Sequence, residues 1–169
     1  MNRFARKPFR WLFPVSVVIG MVAASSAFAA SRIIYNETAD AHADIQQALA
    51  TAAKEHKRVI VDFGGNWCGD CQVLDIYFHD EKNRPQLESG FVLVHVDIGH
   101  MDKNTDVAEK YGVPLAKGVP ALVVLDARGK VLYSQKNGEF EAMRRMDESS
   151  VTDFLNKWNP KSVVFNVAH

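Results

Sequence analysis

Apolar residues recur with two spacings along the chain, one typical of helices and the other of buried strands. Between residues 38 and 56, alanines together with Ile45 and Leu49 recur at helical spacing, and Thr38 or Asp40 can cap the helix start. Residues 58–63 form a short β-branched and aromatic run that ends at two glycines. This run predicts a buried strand with a carboxylate, Asp62, inside it.

The rest of the chain continues this alternation of strand and helix. Residues 68–78 predict a helix that begins at the first cysteine, and residues 121–125 and 130–134 predict an antiparallel hairpin around Gly129. The other expected elements are a strand at 91–97, a short helix at 105–111 and a last helix at 149–158. Alternating strands and helices predict an α/β domain.

The first 29 residues have the layout of a secretory signal peptide. Four basic residues precede an apolar run at 11–24, and Ala27-Phe28-Ala29 offers a peptidase two small side chains. We expect cleavage after Ala29, which leaves one ordinary domain at 30–169. An uncleaved N-terminal anchor is the alternative, and both interpretations deliver the domain outside the cytoplasm.

Charge excludes one class of function. The whole chain carries 20 basic and 20 acidic residues, and removal of residues 1–29 takes away four cations and no anions. The remaining domain is mildly acidic. Nucleic-acid binding needs a basic surface that displaces counterions from phosphates, so we expect no nucleic-acid partner.

The chain contains two cysteines, Cys68 and Cys71, with two residues between them. A purely structural disulfide gains stability by closing a long loop, and this one would close almost none. Structural zinc wants four protein ligands, and no second cysteine pair exists. The spacing therefore favours redox chemistry, with no metal and no cofactor expected.

The predicted helix start gives the two cysteines different roles. A thiolate is the reactive form of cysteine, and unpaired N–H groups at a helix N-terminus stabilise it on Cys68. Cys71 lies about one turn on, where it can resolve a mixed disulfide after losing its proton. Asp62 is a candidate acceptor for that proton. The alternative is that Asp62 caps a backbone group or lies at a solvated strand end.

The segment 61–71, VDFGGNWCGDC, resembles the active-site strand and helix start of the thioredoxin superfamily. Gly118-Val119-Pro120 and the hairpin at Gly129 resemble the second half of that family, so the resemblance spans residues 33–158. It implies a thioredoxin-like fold, with a central mixed β-sheet flanked by helices. It also implies thiol-disulfide oxidoreductase activity.

The resemblance also implies the site. Cys68 is then the attacking cysteine, Cys71 the resolving cysteine and Asp62 the buried acid. The implied substrate-binding residues are Trp67 as a lid, Val119 through its backbone, and Pro120 as a cis-proline. Pro120 is preferred to Pro114 because a predicted strand follows it directly, and for Trp67 simple packing is an equally common role.

Three departures from thioredoxin proper concern the redox pair and the approach to it. Gly64-Gly65 replaces the bulky-small pair that is usual before the motif, which suggests a looser or more open approach to Cys68. Gly69-Asp70 stands between the cysteines where thioredoxin has Gly-Pro, and a carboxylate there should oppose thiolate formation and make the pair more reducing. If Asp70 points into solvent, screening makes this effect small. The loop at 113–118 is longer than in thioredoxin and resembles that of exported thioredoxin-like proteins and of the relay domains of bacterial membrane disulfide reductases.

These observations predict a periplasmic enzyme that reduces protein disulfides. Its partners would be disulfide-containing proteins and a membrane disulfide reductase that donates electrons, because an oxidising compartment keeps the pair as a disulfide. The alternatives are a disulfide oxidase or isomerase, and a Cu(I)-binding metallochaperone. His95, Asp97 and His100 lack a recognised ligand arrangement and are not expected to bind metal.

Overall fold

The computed structural model describes residues 32–161. The predicted signal peptide and its cleavage site lie outside the described residues, as does the C-terminal tail from residue 162. Within residues 32–161, no helix has the length and apolar character needed to cross a membrane.

The described residues fold into five α-helices and four strands, with two short 3₁₀ turns at Leu115–Lys117 and Met143–Arg145. In chain order the elements are α1 (Ala41–Glu55), β1 (Arg58–Gly64), α2 (Gly69–Phe78), α3 (Arg84–Gly90), β2 (Phe91–Asp97), α4 (Thr105–Lys110), β3 (Ala121–Leu125), β4 (Val131–Ser134) and α5 (Ser149–Trp158).

The four strands form one mixed sheet in the order β2-β1-β3-β4. β1 and β2 are parallel, and α2 and α3 supply the crossover that a parallel pair needs. β3 runs antiparallel to both β1 and β4. The register places Asp62 of β1 opposite His95 of β2. The predicted thioredoxin-like fold, a mixed sheet flanked by helices, is confirmed.

Alternate residues of the central strands pack on opposite faces of the sheet. Val59, Val61 and Phe63 of β1 join one apolar cluster with side chains of α1 and α4. Ile60 faces the other way and packs with side chains of α2, α3 and α5. Both faces are therefore covered, as the apolar runs in β1 and β3 require.

One detail decides between two expected caps, and another differs from the sequence pattern. The cap of α1 is Asp40, whose carboxylate accepts the amide N–H of Ala43, so the helix begins at Ala41 and not earlier. Helix α3 was not expected, because its buried face carries little beyond Leu87. A buried Asn83 holds its start, donating to the Tyr77 carbonyl and accepting the Thr152 hydroxyl at 2.7 Å.

Val124 and Val131 give a matched pair of substitutions that tests this core. Val124 is fully buried in β3 between β1 and β4, whereas Val131 of β4 is 39% exposed. Val124→Ala should lower the free energy of unfolding by about 2 kcal/mol, because it removes buried methyl groups and leaves a cavity. Val131→Ala should change it by less than about 0.5 kcal/mol.

Urea unfolding of the two purified variants measures this difference. Equal losses of stability at the two positions would contradict the burial of Val124 in the sheet.

Candidate active site

The two cysteines form a disulfide at the start of α2. Cys68 is the N-cap of the helix, and its Sγ accepts the amide N–H of Cys71 at 3.1 Å. Cys68 is 5% exposed and Cys71 is completely buried. A sulfur at the N-cap meets the unpaired N–H groups of the first turn, so Cys68 is the member of the pair that the helix can stabilise as a thiolate.

Asp62 lies in the interior behind this disulfide and is 1% exposed. Its Oδ2 accepts the hydroxyl of Tyr35 at 2.7 Å and lies 2.9 Å from Nδ1 of His95. Its Oδ1 is buried and accepts no hydrogen bond from the described residues. The carboxylate therefore neither caps a backbone group nor lies at a solvated strand end.

Tyr35 links Asp62 to the disulfide side of β1. Burial, and then the charge of Asp62, raises the pKa of Tyr35 well above its ordinary value, so the phenol keeps its proton and donates it. A Cβ added to Gly64 would lie 2.4 Å from the Tyr35 hydroxyl oxygen and 2.8 Å from Cys71 Sγ. The glycine thus leaves open the space that the hydroxyl and the sulfur both border.

A second buried carboxylate, Asp75, lies one helical turn after Cys71 on the buried face of α2. Arg32 approaches its Oδ2 at 3.0 Å, and Nδ1 of His79 lies 3.1 Å from its Oδ1. Nε2 of His95 lies 3.9 Å from that same Oδ1. Two buried carboxylates therefore flank the His95 ring.

On the other side of the disulfide, Cys68 lies at the wall of a surface cleft of about 410 Å³. Trp67 forms one wall, where its indole N–H donates to the Gly99 carbonyl at 2.7 Å and its ring stacks on His100. The Val119–Pro120 peptide bond is cis, and the Val119 carbonyl oxygen lies 3.7 Å from Cys68 Sγ. Trp67 and the Val119 backbone thus both reach the cleft beside Cys68.

Asp70 does not point freely into solvent, because it is paired with Arg144. Its Oδ1 accepts the Arg144 amide at 2.9 Å, its Oδ2 accepts the guanidinium at 3.0 Å, and the Asp70 side chain is 14% exposed. Burial alone would raise the pKa of Asp70, but the hydrogen bonds from Arg144 outweigh it and lower that pKa. The repulsion expected of a lone carboxylate beside Cys68 is therefore offset by Arg144.

The structure separates the three residues that were considered as a metal site. His95 contacts Asp62, Asp97 pairs with Lys103 at 3.1 Å, and His100 stacks on Trp67. No group of three or more histidine, cysteine, aspartate or glutamate residues within residues 32–161 is arranged to hold a metal ion.

Sequence reasoning missed Tyr35, Asp75 and Arg144, and it gave no role to His95. Alternation along residues 91–97 places His95 on one face of its strand, but only the register with β1 puts it beside Asp62. Asp75 carries a signal that could have been used, because it follows Cys71 at helical spacing. Tyr35 and Arg144 carry no such signal, since both reach the site from distant parts of the chain.

The sequence model of the thioredoxin-like family matches residues 40–127, and the chain belongs to that family. A solved structure, that of a disulphide isomerase from Xylella fastidiosa Temecula1, is 37% identical with a TM-score of 0.71. The match covers 75% of this chain and 96% of that one. The CxxC disulfide at a helix N-terminus agrees with this family membership.

Two curated relatives match shorter stretches. Thioredoxin-3 of Dictyostelium discoideum is 37% identical over 60 residues, which cover 36% of this chain and 55% of that protein. The thiol:disulfide interchange protein DsbD of Vibrio vulnificus is 33% identical over 87 residues, covering 51% of this chain and 14% of that protein. The chain thus spans less than two thirds of the length of these curated relatives.

Asp70→Asn and Arg144→Met should change the reactivity of Cys68 in opposite directions. The asparagine keeps an acceptor for the Arg144 amide but removes the negative charge, so the guanidinium then favours the Cys68 thiolate. Arg144→Met keeps the backbone amide at Asp70 Oδ1 but removes the guanidinium, so the negative charge of Asp70 then disfavours the Cys68 thiolate. The test is alkylation of the reduced protein by iodoacetamide at neutral pH, which we expect to become faster in Asp70→Asn and slower in Arg144→Met. Each change should be on the order of threefold, because solvent screens both charges.

Arg128→Met, which removes an exposed cation in the turn between β3 and β4, serves as the control and should leave the rate close to that of the unaltered protein. Changes of the same sign in Asp70→Asn and Arg144→Met would refute this account of the charge pair.

Proposed function

We propose that this protein is an exported thiol-disulfide oxidoreductase that reduces disulfides in other proteins. Cys68 attacks the substrate disulfide and forms a mixed disulfide. Cys71 then attacks Cys68, the Cys68–Cys71 bond forms, and the substrate leaves with both of its sulfurs reduced. The observation that carries this assignment is the disulfide with Cys68 at the N-cap and Cys71 buried behind it.

The surroundings of Cys68 support the reducing direction. A strong oxidant has a stabilised reduced form, which requires that the protein favour the thiolate. Here Cys68 and Cys71 are both buried, which disfavours a thiolate, and Arg144 in the cleft is engaged by Asp70. Among the described residues, the amide N–H of Cys71 donates the hydrogen bond that Cys68 Sγ accepts. This environment favours a potential near that of thioredoxin.

Export is proposed from the first 29 residues, with their basic start, apolar run and small residues before the expected cleavage after Ala29. An oxidising compartment would hold Cys68 and Cys71 as a disulfide, so a reducing role there needs an electron donor. We propose a membrane disulfide reductase as that donor, and the similarity to DsbD supports this choice.

A disulfide isomerase is the second candidate. The similarity to the Xylella fastidiosa disulphide isomerase, at 37% identity, favours it. An isomerase uses the same Cys68 attack but lets the substrate's own thiol resolve the mixed disulfide. The two functions therefore differ in how often Cys71 completes the exchange.

Cys71→Ser should trap the natural partner. Without a resolving thiol, Cys68 stays joined to its substrate or donor through a mixed disulfide that mass spectrometry of the exported fraction identifies. The same spectra should show a chain that begins at residue 30. Cys68→Ser serves as the matched control and should trap far less, because the buried Cys71 does not reach partners.

Equal trapping by the two variants would contradict the assignment of Cys68 as the attacking residue. Peptides from residues 1–29 in the trapped protein would contradict cleavage after Ala29.

The reduction potential decides between a reducing and an oxidising role. We expect a value nearer to about −270 mV, as in thioredoxin, than to about −120 mV, as in a strong oxidant. Equilibration of the purified protein with glutathione buffers measures it, and insulin reduction should be faster than the refolding of a scrambled substrate. A potential above about −150 mV would overturn the reducing assignment, and faster refolding of the scrambled substrate would favour the isomerase.

A further inference from the structure

Gln135 is a buried side-chain amide that directly follows β4 and is 1% exposed. Its Nε2 donates to the Pro120 carbonyl oxygen at 3.1 Å, and its Oε1 accepts the amide N–H of Leu122 at 3.3 Å. A buried amide is costly unless its donor and its acceptor are both paired, and here both are. Both partners are backbone groups at the start of β3.

The side chain of Gln135 completes the sheet at the point where the backbone of β4 stops doing so. The register pairs Ser134 with Val123, so Gln135 comes next, opposite Leu122. The Gln135 amide N–H donates to the Leu122 carbonyl at 3.0 Å, but the Leu122 amide N–H donates to the Gln135 side chain. In a regular antiparallel pair the two backbones would exchange both bonds. The side-chain amide replaces one of them and reaches the Pro120 carbonyl as well.

The chain beyond β4 packs against the loop that leads to Val119. A Cβ added to Gly138 would overlap the Lys117 carbonyl oxygen, and a Cβ added to Gly118 would lie 2.7 Å from Cβ of Glu141. Side chains larger than hydrogen therefore do not fit at either glycine without a shift of the neighbouring chain. The loop is confined by packing ahead of Val119 and by the buried amide beyond it.

Val119 is the point at which this confined loop meets the disulfide. Its carbonyl oxygen lies 3.7 Å from Cys68 Sγ, and the residue lines the cleft beside that sulfur. The backbone groups of Pro120 and Leu122 point the other way, toward Gln135. A shift of the Pro120 carbonyl therefore moves the Val119 backbone relative to the sulfur.

We propose that Gln135 is a positioning residue for polypeptide substrates. By holding the Pro120 carbonyl, it keeps the Val119 backbone where a substrate chain pairs with it while Cys68 attacks. This rests on the function proposed above, in which Val119 offers its backbone to a disulfide-containing protein. A small disulfide has no peptide backbone to pair with Val119, so its reaction with Cys68 does not depend on Gln135.

Gln135→Met tests this difference between substrates. Methionine has nearly the same length but leaves the Pro120 carbonyl and the Leu122 amide N–H without their partner. The two measurements are reduction of insulin with dithiothreitol as electron donor, and the reaction of the reduced protein with 5,5′-dithiobis(2-nitrobenzoic acid). We expect the KM for insulin to rise at least about fivefold, with kcat and the rate of the small disulfide changed by less than about twofold.

Two control variants separate positioning from chemistry and from stability. Gln46→Met makes the same change at an exposed position of α1 and should alter neither reaction. Val124→Ala weakens β3 away from the cleft and should leave the KM for insulin unchanged. An unchanged KM in Gln135→Met would overturn the proposal. An equal rise of KM in Val124→Ala, or equal slowing of the small disulfide in Gln135→Met, would also overturn it.

A measurement that keeps Gln135 in place covers the case in which Gln135→Met does not fold. Reduced Cys71→Ser protein is mixed with a peptide whose cysteine is joined to thionitrobenzoate. Cys68 attacks the peptide sulfur, the bond between Cys68 and the peptide forms, and thionitrobenzoate leaves as a coloured thiolate. The side-chain amide resonances of Gln135 in NMR spectra should shift when this mixed disulfide forms.

The same protein joined to cysteamine, which has no peptide backbone, is the control and should leave the Gln135 resonances in place. Unmoved resonances with the peptide, or equal shifts with cysteamine, would overturn the proposal. Both mixed disulfides form whatever the reduction potential of the protein. Failure of the unaltered protein to reduce insulin would therefore refute the reducing function, and the NMR comparison would still decide the role of Gln135.

Discussion

The position of Cys68 at the N-cap of α2 is the constraint on which the rest of the site depends. A thiolate is stabilised where backbone N–H groups lack partners, and the first turn of a helix supplies such groups. The Cys71 amide meets Cys68 Sγ at 3.1 Å because the helix begins at the next residue, Gly69. The end of β1 delivers the chain to this point, so the sheet fixes where the reactive sulfur lies.

The buried carboxylates are the costly part of this arrangement. A carboxylate in an apolar interior must have partners or lose its charge. Asp62 meets this requirement with Tyr35 and His95, which leave one of its oxygens without a hydrogen bond from the described residues. An incompletely paired carboxylate behind a buried thiol is poorly explained by stability alone.

The cleft over Cys68 has different electrostatics. Here the charged groups are near solvent, and Asp70 and Arg144 offset one another across the helix start. Such a pair contributes less than about 1 kcal/mol to stability, because solvent screens it. The consequence of the pair is chemical. It holds the Arg144 guanidinium beside the disulfide, and the Asp70 carboxylate offsets the charge of that guanidinium. The two sides of the disulfide thus differ, with a solvent-near charge pair in front and buried carboxylates behind.

The sequence by itself determined the sheet and its helices other than α3, because apolar runs and helical spacings are local patterns. It also determined the redox pair, because two cysteines at this spacing have few other uses. It also singled out Asp62 as a charge within an apolar strand. Only the tertiary structure decided which groups surround that charge. Tyr35, His95 and Arg144 lie 27, 33 and 74 residues from their carboxylate partners. Strand register and the packing of distant segments bring them together, and neither leaves a local pattern in the chain.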